Sequence, residues 1–278
     1  MNEESFARPP VVAGMFYPEH EGELRHTVES LMNEVSPSPR SGSLLGLVVP
    51  HAGYLYSGRT AARAFALLKN RQIGTVVLVG PSHREYFDGV SVFSGASFKT
   101  PLGSVEVDAE LRSELMKRYP AIHSSIVGHK AEHSLEVQLP FLQCAVHNLK
   151  ILPVVMGDQK RKYCEELGSA LAEIAKDHGL LFIASSDLSH YHPSRVAQKL
   201  DAVAIASIQE LNYEALTSEL EEDQTEACGG GPIAAVLFAA KKAGADFCDV
   251  LDSCNSGDVS GDSERVVGYV SAALWKIH

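Results

Sequence analysis

The chain contains 278 residues, of which 45% are hydrophobic and 21% are charged, and its formal net charge is −11. This composition is typical of a globular protein, and the length allows one large domain or two small ones. The negative charge argues against a nucleic-acid-binding protein, because contacts to phosphates need a basic surface.

The terminal segment and the cysteines indicate a cytoplasmic protein. The first residues, MNEESFARPP, are polar and acidic and lack the basic and apolar stretches of a signal peptide. No apolar run approaches the ~18 residues that a membrane span needs, so no membrane association is expected. Five cysteines without regular spacing predict no disulfide framework, which fits a reducing compartment. We interpret four of them as small buried hydrophobic residues: Cys144, Cys164, Cys248 and Cys254.

Turn formers, apolar runs and helical periodicity define the elements of the N-terminal half. In chain order they predict a helix over about residues 22–35, a loop at 36–43, a strand from Leu45, a helix over 59–70, a strand at 75–83, a hairpin or sheet edge over 89–95 and 103–108, and a helix over about 108–118.

The C-terminal half continues this alternation. Segment 129–146 begins polar and becomes amphipathic, and Pro140 is expected to end or kink its helix. The remaining pattern predicts a strand at 150–158, a helix at 164–179, a strand at 180–193 that runs into a polar loop, two helices over about 194–220, a helix at 229–245 and a last strand at 265–274.

The order and character of these elements predict the fold. Strands and helices mostly alternate, and the central strands are continuous apolar runs. Both features indicate an α/β fold with a central, largely parallel or mixed sheet flanked by helices on both faces. No linker divides the chain, so a single domain is expected over residues 1–278.

Three of the predicted strands lead into a histidine. LVVPH ends at His51, VLVGPSH ends at His83, and FIASSDLSH ends at His190 with Asp187 just before it. A single histidine after a strand is usually a loop residue, but three such endings favour a shared site. Ligands of open α/β sheets bind beyond the carboxyl ends of the strands, so these side chains are expected to converge. Because neutral imidazoles commonly bind iron, zinc and copper, a metal site is the leading interpretation.

Cys228 is the best candidate for a third metal ligand. It lies in TEACGGGP at the start of a predicted helix, where backbone N–H groups and the helix dipole favour the thiolate that binds metals. The alternative is a buried, unreactive cysteine. Asp187 and His190 are further ligands, or an acid–base histidine positioned by its aspartate, or parts of a turn or helix cap.

The segment KAEHSLEVQLP supplies a second group of candidates. Spacings of three and four residues place Glu132, His133 and Glu136 on neighbouring faces of a predicted helix. If this helix enters the cleft, His133 and Glu136 support the ligands or contact a substrate; a capped surface helix explains the same pattern. Tyr54, like Tyr56, is expected to line the cleft or pack beside it.

Seven short motifs are distributed along most of the chain in a characteristic order: RPPVVAGMFYP, VVPHAGYLYSG, LVGPSH, EHSLEVQLPFL, ILPVVMGD, SSDLSHY and ACGGGPI. The chain therefore resembles the Memo family of the AmmeMemoRadiSam system. The fold of that family is similar to the class III extradiol dioxygenases of the LigB type, which cleave catechol rings with non-haem Fe(II). One departure is Gly230, where the resemblance leads us to expect an arginine that contacts a substrate carboxylate or phosphate.

The resemblance implies a dioxygenase-like oxidoreductase with a small-molecule substrate and a divalent metal, Fe(II) first, with copper or zinc as alternatives. His51 and His83 match the metal-binding histidines, and His190 matches the acid–base histidine, with Asp187 beside it. Cys228 falls where the dioxygenases have a carboxylate ligand. Because a thiolate is softer and can itself be oxidised, ring cleavage does not carry over with the fold. A radical SAM protein is the implied partner.

Three functions stay open from the sequence. The first is a metal-binding redox enzyme of the kind just described. The second is a metal-independent hydrolase or transferase with Cys228 as nucleophile, His190 as base and Asp187 as its orienting group. It ranks lower because it leaves the other two histidines without a role. The third is a non-catalytic protein that binds a peptide or a protein partner in the cleft.

Overall fold

The computed structural model describes residues 3–35, 40–117, 119 and 122–277. Its α-helices are Glu21–Asn33 (α1), Tyr54–Phe65 (α2), Ala109–Met116 (α3), Leu139–Ala145 (α4), Arg161–Ile174 (α5), Ser194–Gln209 (α6), Tyr213–Glu221 (α7), Gly230–Lys242 (α8) and Gly257–Ser260 (α9). Its β-strands are Ala7–Arg8 (β1), Ser43–Val49 (β2), Thr75–Pro81 (β3), Val90–Phe93 (β4), Ser97–Thr100 (β5), Gly103–Val107 (β6), Ile122–Ser125 (β7), Lys150–Met156 (β8), Leu180–Ser185 (β9), His190–His192 (β10), Phe247–Asn255 (β11) and Val266–Lys276 (β12). Positions 36–39 of the predicted loop and position 118 of a predicted helix lie outside the described residues.

The strands form one mixed sheet whose centre is parallel. β8, β3, β9 and β2 lie side by side in this order and run parallel, and β12 extends the sheet beyond β2 in the antiparallel direction. Across the described part of the chain, twelve strands join this sheet. The predicted α/β fold with a largely parallel or mixed sheet is therefore confirmed.

Helices cover both faces of the central sheet. On β3, Val77 and Val79 pack into the core beneath α5 and α8, whereas Val76 and Leu78 pack into the opposite core beneath α1, α2 and α4. All four side chains are fully buried. A strand that is covered on both sides needs no polar alternation, which explains the continuous apolar runs in the sequence.

Two predicted helices begin elsewhere. α2 begins at Tyr54 rather than after Gly58, so the two tyrosines of this motif are helical. Pro140 does not end a helix but lies in the first turn of α4, where its missing N–H leaves no hydrogen bond unmade. Residues 129–135 form turns instead of a helix, because their backbone groups bond to buried side chains.

The margins of the sheet differ most from the prediction. GVSVFSG forms β4, which pairs with β7 and β8, and the hairpin is made by β5 and β6 instead. The prediction has no counterpart of β7 or β11. β11, FCDVLDSCN, is half-exposed and carries polar residues without clean alternation, which hides it from sequence analysis. Within the described ranges, no helix is both long and apolar enough to cross a membrane.

Candidate functional site

Three neighbouring parallel strands deliver polar side chains to one edge of the sheet. His51 lies two positions after β2, and His83 and Asp187 follow β3 and β9 at the same spacing. β9 lies between β2 and β3, so the three loops meet. Cys228 joins them from the loop before α8. One potential ligand atom from each of His51, His83 and Cys228 lies within 4.8 Å of the others.

Close backbone contacts hold the Cys228 loop against the end of β9. The Cys228 N–H donates to the Asp187 carbonyl at 3.2 Å, and the Asp187 N–H donates to Sγ of Cys228 at 3.3 Å. A Cβ at Gly229 would press into the Ser185 carbonyl oxygen, closer than real Cβ atoms approach. Glycine is therefore required where this loop passes β9, and the thiol reaches the histidines as a result.

The hydrogen bonds around His51 define its tautomer. The Ser185 hydroxyl donates to the Ser134 carbonyl at 2.6 Å, so its oxygen is left to accept from Nδ1 of His51 at 3.0 Å. Gln138 also donates to this oxygen. With the proton assigned to Nδ1, the lone pair of Nε2 points to Sγ of Cys228, 3.1 Å away.

His83 is oriented by a buried carboxylate in the same manner. Nδ1 of His83 donates to Oε1 of Glu132 at 2.9 Å, and the His83 backbone N–H donates to Oε2 at 2.6 Å. Burial opposes ionisation of Glu132, but the hydrogen bonds and charge of His83 outweigh it and lower the carboxyl pKa to about 2. The carboxylate therefore leaves Nε2 of His83 free to bind a metal.

A second group of possible ligands overlaps the first. His83, Glu132 and His133 also have potential ligand atoms within 4.8 Å of one another. However, Oε1 of Glu132 already accepts the His83 ring and the backbone N–H groups of His133 and Ser134. Nδ1 of His133 lies 3.3 Å from the same oxygen and has no hydrogen-bond partner among the described residues. We interpret this group as the support for His83.

Burial favours the neutral form of the His51 and His133 imidazoles. Burial holds the pKa of His51 well below its usual value, and the neighbouring His83 and His133 lower it further. Burial also lowers the pKa of His133 to about 4, although Glu132 opposes the shift. The neutral ring is the form that binds metals, so both shifts favour metal binding over protonation.

The thiol of Cys228 does not behave as the sequence predicts. Burial raises its pKa, and the nearby Asp187 carboxylate adds to the rise, so the expected activation by the helix N-terminus is wrong for the site without a metal. A bound cation supplies the charge that a thiolate needs. Two imidazoles and one sulfur are a donor set that fits a divalent metal.

Asp187 does not orient His190, contrary to the prediction. Its Oδ1 accepts from the His51 backbone N–H at 2.7 Å. Burial raises the pKa of Asp187 to about 7, although the N–H groups of His51 and Ala52 oppose the rise. Nδ1 of His190 donates to the Leu188 carbonyl at 2.7 Å, and burial lowers the His190 pKa. A backbone carbonyl thus orients the His190 ring, while Asp187 fixes the loop that carries His51.

Neither Glu136 nor Tyr54 lines the cavity, which corrects the prediction for Glu136 and rules out one of the two placements predicted for Tyr54. Glu136 is fully buried and pairs with Arg8 at 2.6 Å. Its carboxylate also accepts from the Val11 N–H and from the Tyr17 hydroxyl, the latter at 2.6 Å. The Tyr54 ring is buried in the core, and its hydroxyl donates to a backbone carbonyl. Partners from the distant N-terminal segment thus turn Glu136 away from the metal site.

A cavity of about 730 Å³ opens in front of His51, His83 and Cys228. His133 and His190 are among the residues that line it. Other walls are formed by Met15, Phe16, Tyr56, Tyr191, Arg265 and Tyr269. Sequence reasoning named only Tyr56 among these. The motifs RPPVVAGMFYP and SSDLSHY contain Met15, Phe16 and Tyr191. Large apolar and aromatic residues within such motifs were the available signal.

The two histidines nearest the site in sequence have partners of their own. His129 is buried, and its Nε2 lies 3.0 Å from the Ser91 carbonyl. His192 pairs with Glu226 through Nε2 at 2.8 Å. Neither ring is part of the cluster that can hold a metal.

Comparison with known proteins agrees with the motifs and the fold. A family model described as "Memo-like protein" matches residues 8–273. The chain belongs to the Memo family. MEMO1 family proteins from Methanosarcina barkeri and Thermoplasma volcanium are 42% and 40% identical to it, over 95% of this chain and 98% and 97% of theirs. A MEMO1 family protein from Aquifex aeolicus is 38% identical over 95% of this chain and 97% of its own.

A solved structure shares the fold of this Memo family member. It is an uncharacterized protein from Escherichia coli K12, with a TM-score of 0.56 and 14% identity, covering 84% of this chain and 100% of that one. A likeness at this identity supports the α/β fold alone.

Proposed function

We propose that this Memo family protein is a metal-dependent redox enzyme that acts on a small molecule in the cavity. The observation that carries the proposal is the cluster of His51, His83 and Cys228, whose potential ligand atoms lie within 4.8 Å. Both imidazoles have Nδ1 engaged by a polar partner, which leaves Nε2 for the metal. Such anchoring is characteristic of metal-binding histidines.

Imidazole and thiolate ligands suit Fe(II), copper and zinc alike. The resemblance to the Fe(II)-dependent extradiol dioxygenases supports Fe(II) as the first choice. Three protein ligands leave coordination positions open toward the cavity. When bound, the metal supplies Lewis-acid and redox chemistry at these positions.

The surrounding residues perform the remaining tasks. Nε2 of His190 is positioned to accept a proton from a bound substrate, because Nδ1 is held by the Leu188 carbonyl. Asp187 keeps the His51 loop in place through the backbone N–H. The rings of Phe16 and Tyr56 line the cavity, exclude water and contact the substrate.

Anaerobic metal loading tests this proposal. Chelator-treated protein is loaded with Fe(II), Cu(II) or Zn(II), and bound metal is measured per chain by elemental analysis. We expect one metal per chain in the wild type and a loss in His51→Ala, His83→Ala and Cys228→Ala. His192→Ala and Cys254→Ala, whose side chains lie outside the cluster, are matched controls that retain it. Undiminished metal content in the three site variants would contradict the proposal.

A metal-free cysteine–histidine enzyme is the second candidate. It is favoured by the 3.1 Å distance between Sγ of Cys228 and Nε2 of His51, which makes His51 rather than His190 its base. It ranks lower because burial raises the Cys228 pKa and because His83 has no task in it. Rapid alkylation of Cys228 by iodoacetamide, equal with and without bound metal, would favour this candidate.

We also propose that this chain works with a partner protein. The family resemblance supports a radical SAM protein that works with this chain in the cytoplasm. Co-purification of the two proteins tests the association. If complex formation survives the double substitution His83→Ala and Cys228→Ala, a non-catalytic binding role gains support over a metal-dependent one.

A further inference from the structure

The cavity in front of the metal-site cluster contains one arginine. Arg265, just before β12, is the one lysine or arginine among its described lining residues. Its side chain is exposed at the mouth. Within the described ranges, its guanidinium makes no ion pair or hydrogen bond, and its one defined contact is with the Tyr191 ring, 5.4 Å from the centroid. A planar group with five donors is therefore presented to the cavity unpaired.

The backbone at Tyr191 is strained in a way that supports this arrangement. Tyr191 has a φ of 62°, in the left-handed region that residues other than glycine rarely adopt. Its neighbours His190 and His192 pair with β12 across a bulge. The bulge turns the Tyr191 ring outward, where it is 63% exposed and lies beneath Arg265. Strain of this kind is retained where the displaced side chain has a task.

Apolar and aromatic side chains lie in the same cavity wall as Arg265. Met15 is 71% exposed, and Phe16 and Tyr56 line the same cavity. The chain carries a net charge of −11, so its general field repels anions. A single unpaired guanidinium within such a field marks the place where an anionic group can be bound. Gly230, where the resemblance leads us to expect an arginine, is buried beside Leu220 and does not line the cavity.

We infer that the substrate is a small molecule with an anionic head group, a carboxylate or a phosphate, and an apolar body. Arg265 binds the head group through paired N–H donors, Tyr191 supports the guanidinium, and the apolar body extends between Phe16 and Tyr56 toward the metal-site cluster. This inference rests on the proposed function for the reaction itself, but not for binding at the mouth.

Binding of simple probes tests the inference with metal-free and with metal-loaded protein. Phenylacetate and phenyl phosphate carry the two head groups, and phenylacetamide is the neutral counterpart of phenylacetate. Affinities are measured by calorimetry and ligand-observed NMR. We expect at least one anion to bind about tenfold or more tightly than the amide, and the preferred anion distinguishes carboxylate from phosphate.

Three variants and one control test whether Arg265 makes the contact with the anionic group. Arg265→Gln is expected to reduce the preference for the anion to within about twofold, and Arg265→Lys to restore it in part. Tyr191→Gly relieves the backbone strain, so the fold is retained, yet anion affinity falls because the guanidinium loses its support. Arg25→Gln, in a surface pair with Glu21, changes the net charge equally and is expected to leave binding unchanged.

The outcomes separate this inference from the metal site. Equal binding of the amide and both anions, no saturable binding of either anion, or an unchanged preference in Arg265→Gln would each overturn it. Metal content is measured on the same samples and is expected to stay at the wild-type level in Arg265→Gln. If the wild type binds no metal, the proposed function is contradicted. The anion preference of the metal-free protein still tests the inference about Arg265.

Discussion

The carboxylate of Glu132 accepts both the ring N–H and the backbone N–H of His83, at 2.9 and 2.6 Å. One buried side chain thus fixes the rotation, tautomer and backbone position of a proposed metal ligand. The carboxylate at His51, that of Asp187, accepts only the backbone N–H, and a serine hydroxyl accepts from the ring instead. The two histidines are therefore held with different strength, and His83 is the more strongly polarised.

Glu132→Gln is expected to weaken metal binding by about 10–100-fold, because an amide cannot accept all of these hydrogen bonds or supply the negative charge. Metal affinity is measured by competition with a chelator of known affinity. Glu106→Gln, an exposed carboxylate on β6, is the control and should bind like the wild type. An affinity within twofold of the wild type for Glu132→Gln would show that this carboxylate does not position His83.

Gly229→Ala is expected to displace the Cys228 loop, because the added Cβ meets the Ser185 carbonyl oxygen. Overpacking of this kind costs about 1–3 kcal/mol of unfolding free energy, and the metal site should lose affinity as the thiol moves. Urea unfolding and metal competition measure the two effects. Gly22→Ala in α1 is the control, since a Cβ there meets nothing within 4 Å. It should be neutral or stabilising by up to about 1 kcal/mol.

Glu136→Gln is expected to destabilise the fold by about 3–5 kcal/mol, because it leaves the fully buried Arg8 without a compensating charge. Urea unfolding measures this loss. In the surface pair of Glu21 and Arg25, Glu21→Gln should cost less than about 1 kcal/mol. A loss for Glu136→Gln no larger than this control would mean that the buried pair contributes nothing specific.

His129 is expected to make the fold less stable in mild acid. Burial lowers its pKa in the folded state to about 3, whereas the unfolded ring titrates near its ordinary value of about 6.5. Above pH ~6.5 both states are neutral and stability is unaffected. As the pH falls from ~6.5 toward ~3, only the unfolded state binds the proton, so stability decreases by up to about 1.4 kcal/mol per pH unit.

His129→Gln isolates this effect from other titrations. Gln keeps a donor for the Ser91 carbonyl but does not bind a proton. The unfolding free energies of both proteins are compared at several pH values between about 4 and 8. We expect the difference between them to change steadily below pH ~6.5 and to be constant above it. A difference that is independent of pH throughout would contradict the assignment.

The centre of the site could be predicted from the sequence because it depends on strands that are recognisable as apolar runs. β2, β3 and β9 are continuous apolar runs, and each side chain that follows them has a position fixed by the parallel sheet. The convergence of His51 and His83 could therefore be predicted from the strands alone. Cys228 needed more, since its approach depends on the contact of Gly229 with β9.

The residues around this centre could not be placed in the same way. The spacing of Glu132 and Glu136 is helical, yet the segment forms turns, because Arg8 and the N-terminal backbone bind it from more than a hundred residues away. Asp187 and His190 are three positions apart but bond to different partners. Local spacing cannot reveal such partners, since they are chosen by tertiary packing.

The buried contacts of Arg8 also affect the order in which the molecule is completed during its synthesis. Arg8 bonds to the His129 carbonyl and to Glu136, which lie 121 and 128 positions later in the chain. At roughly 5–20 residues per second, the ribosome takes about 6–26 s to produce these partners. The segment that contains Arg8 therefore cannot complete these contacts until residue 136 has been synthesised, although it is made long before.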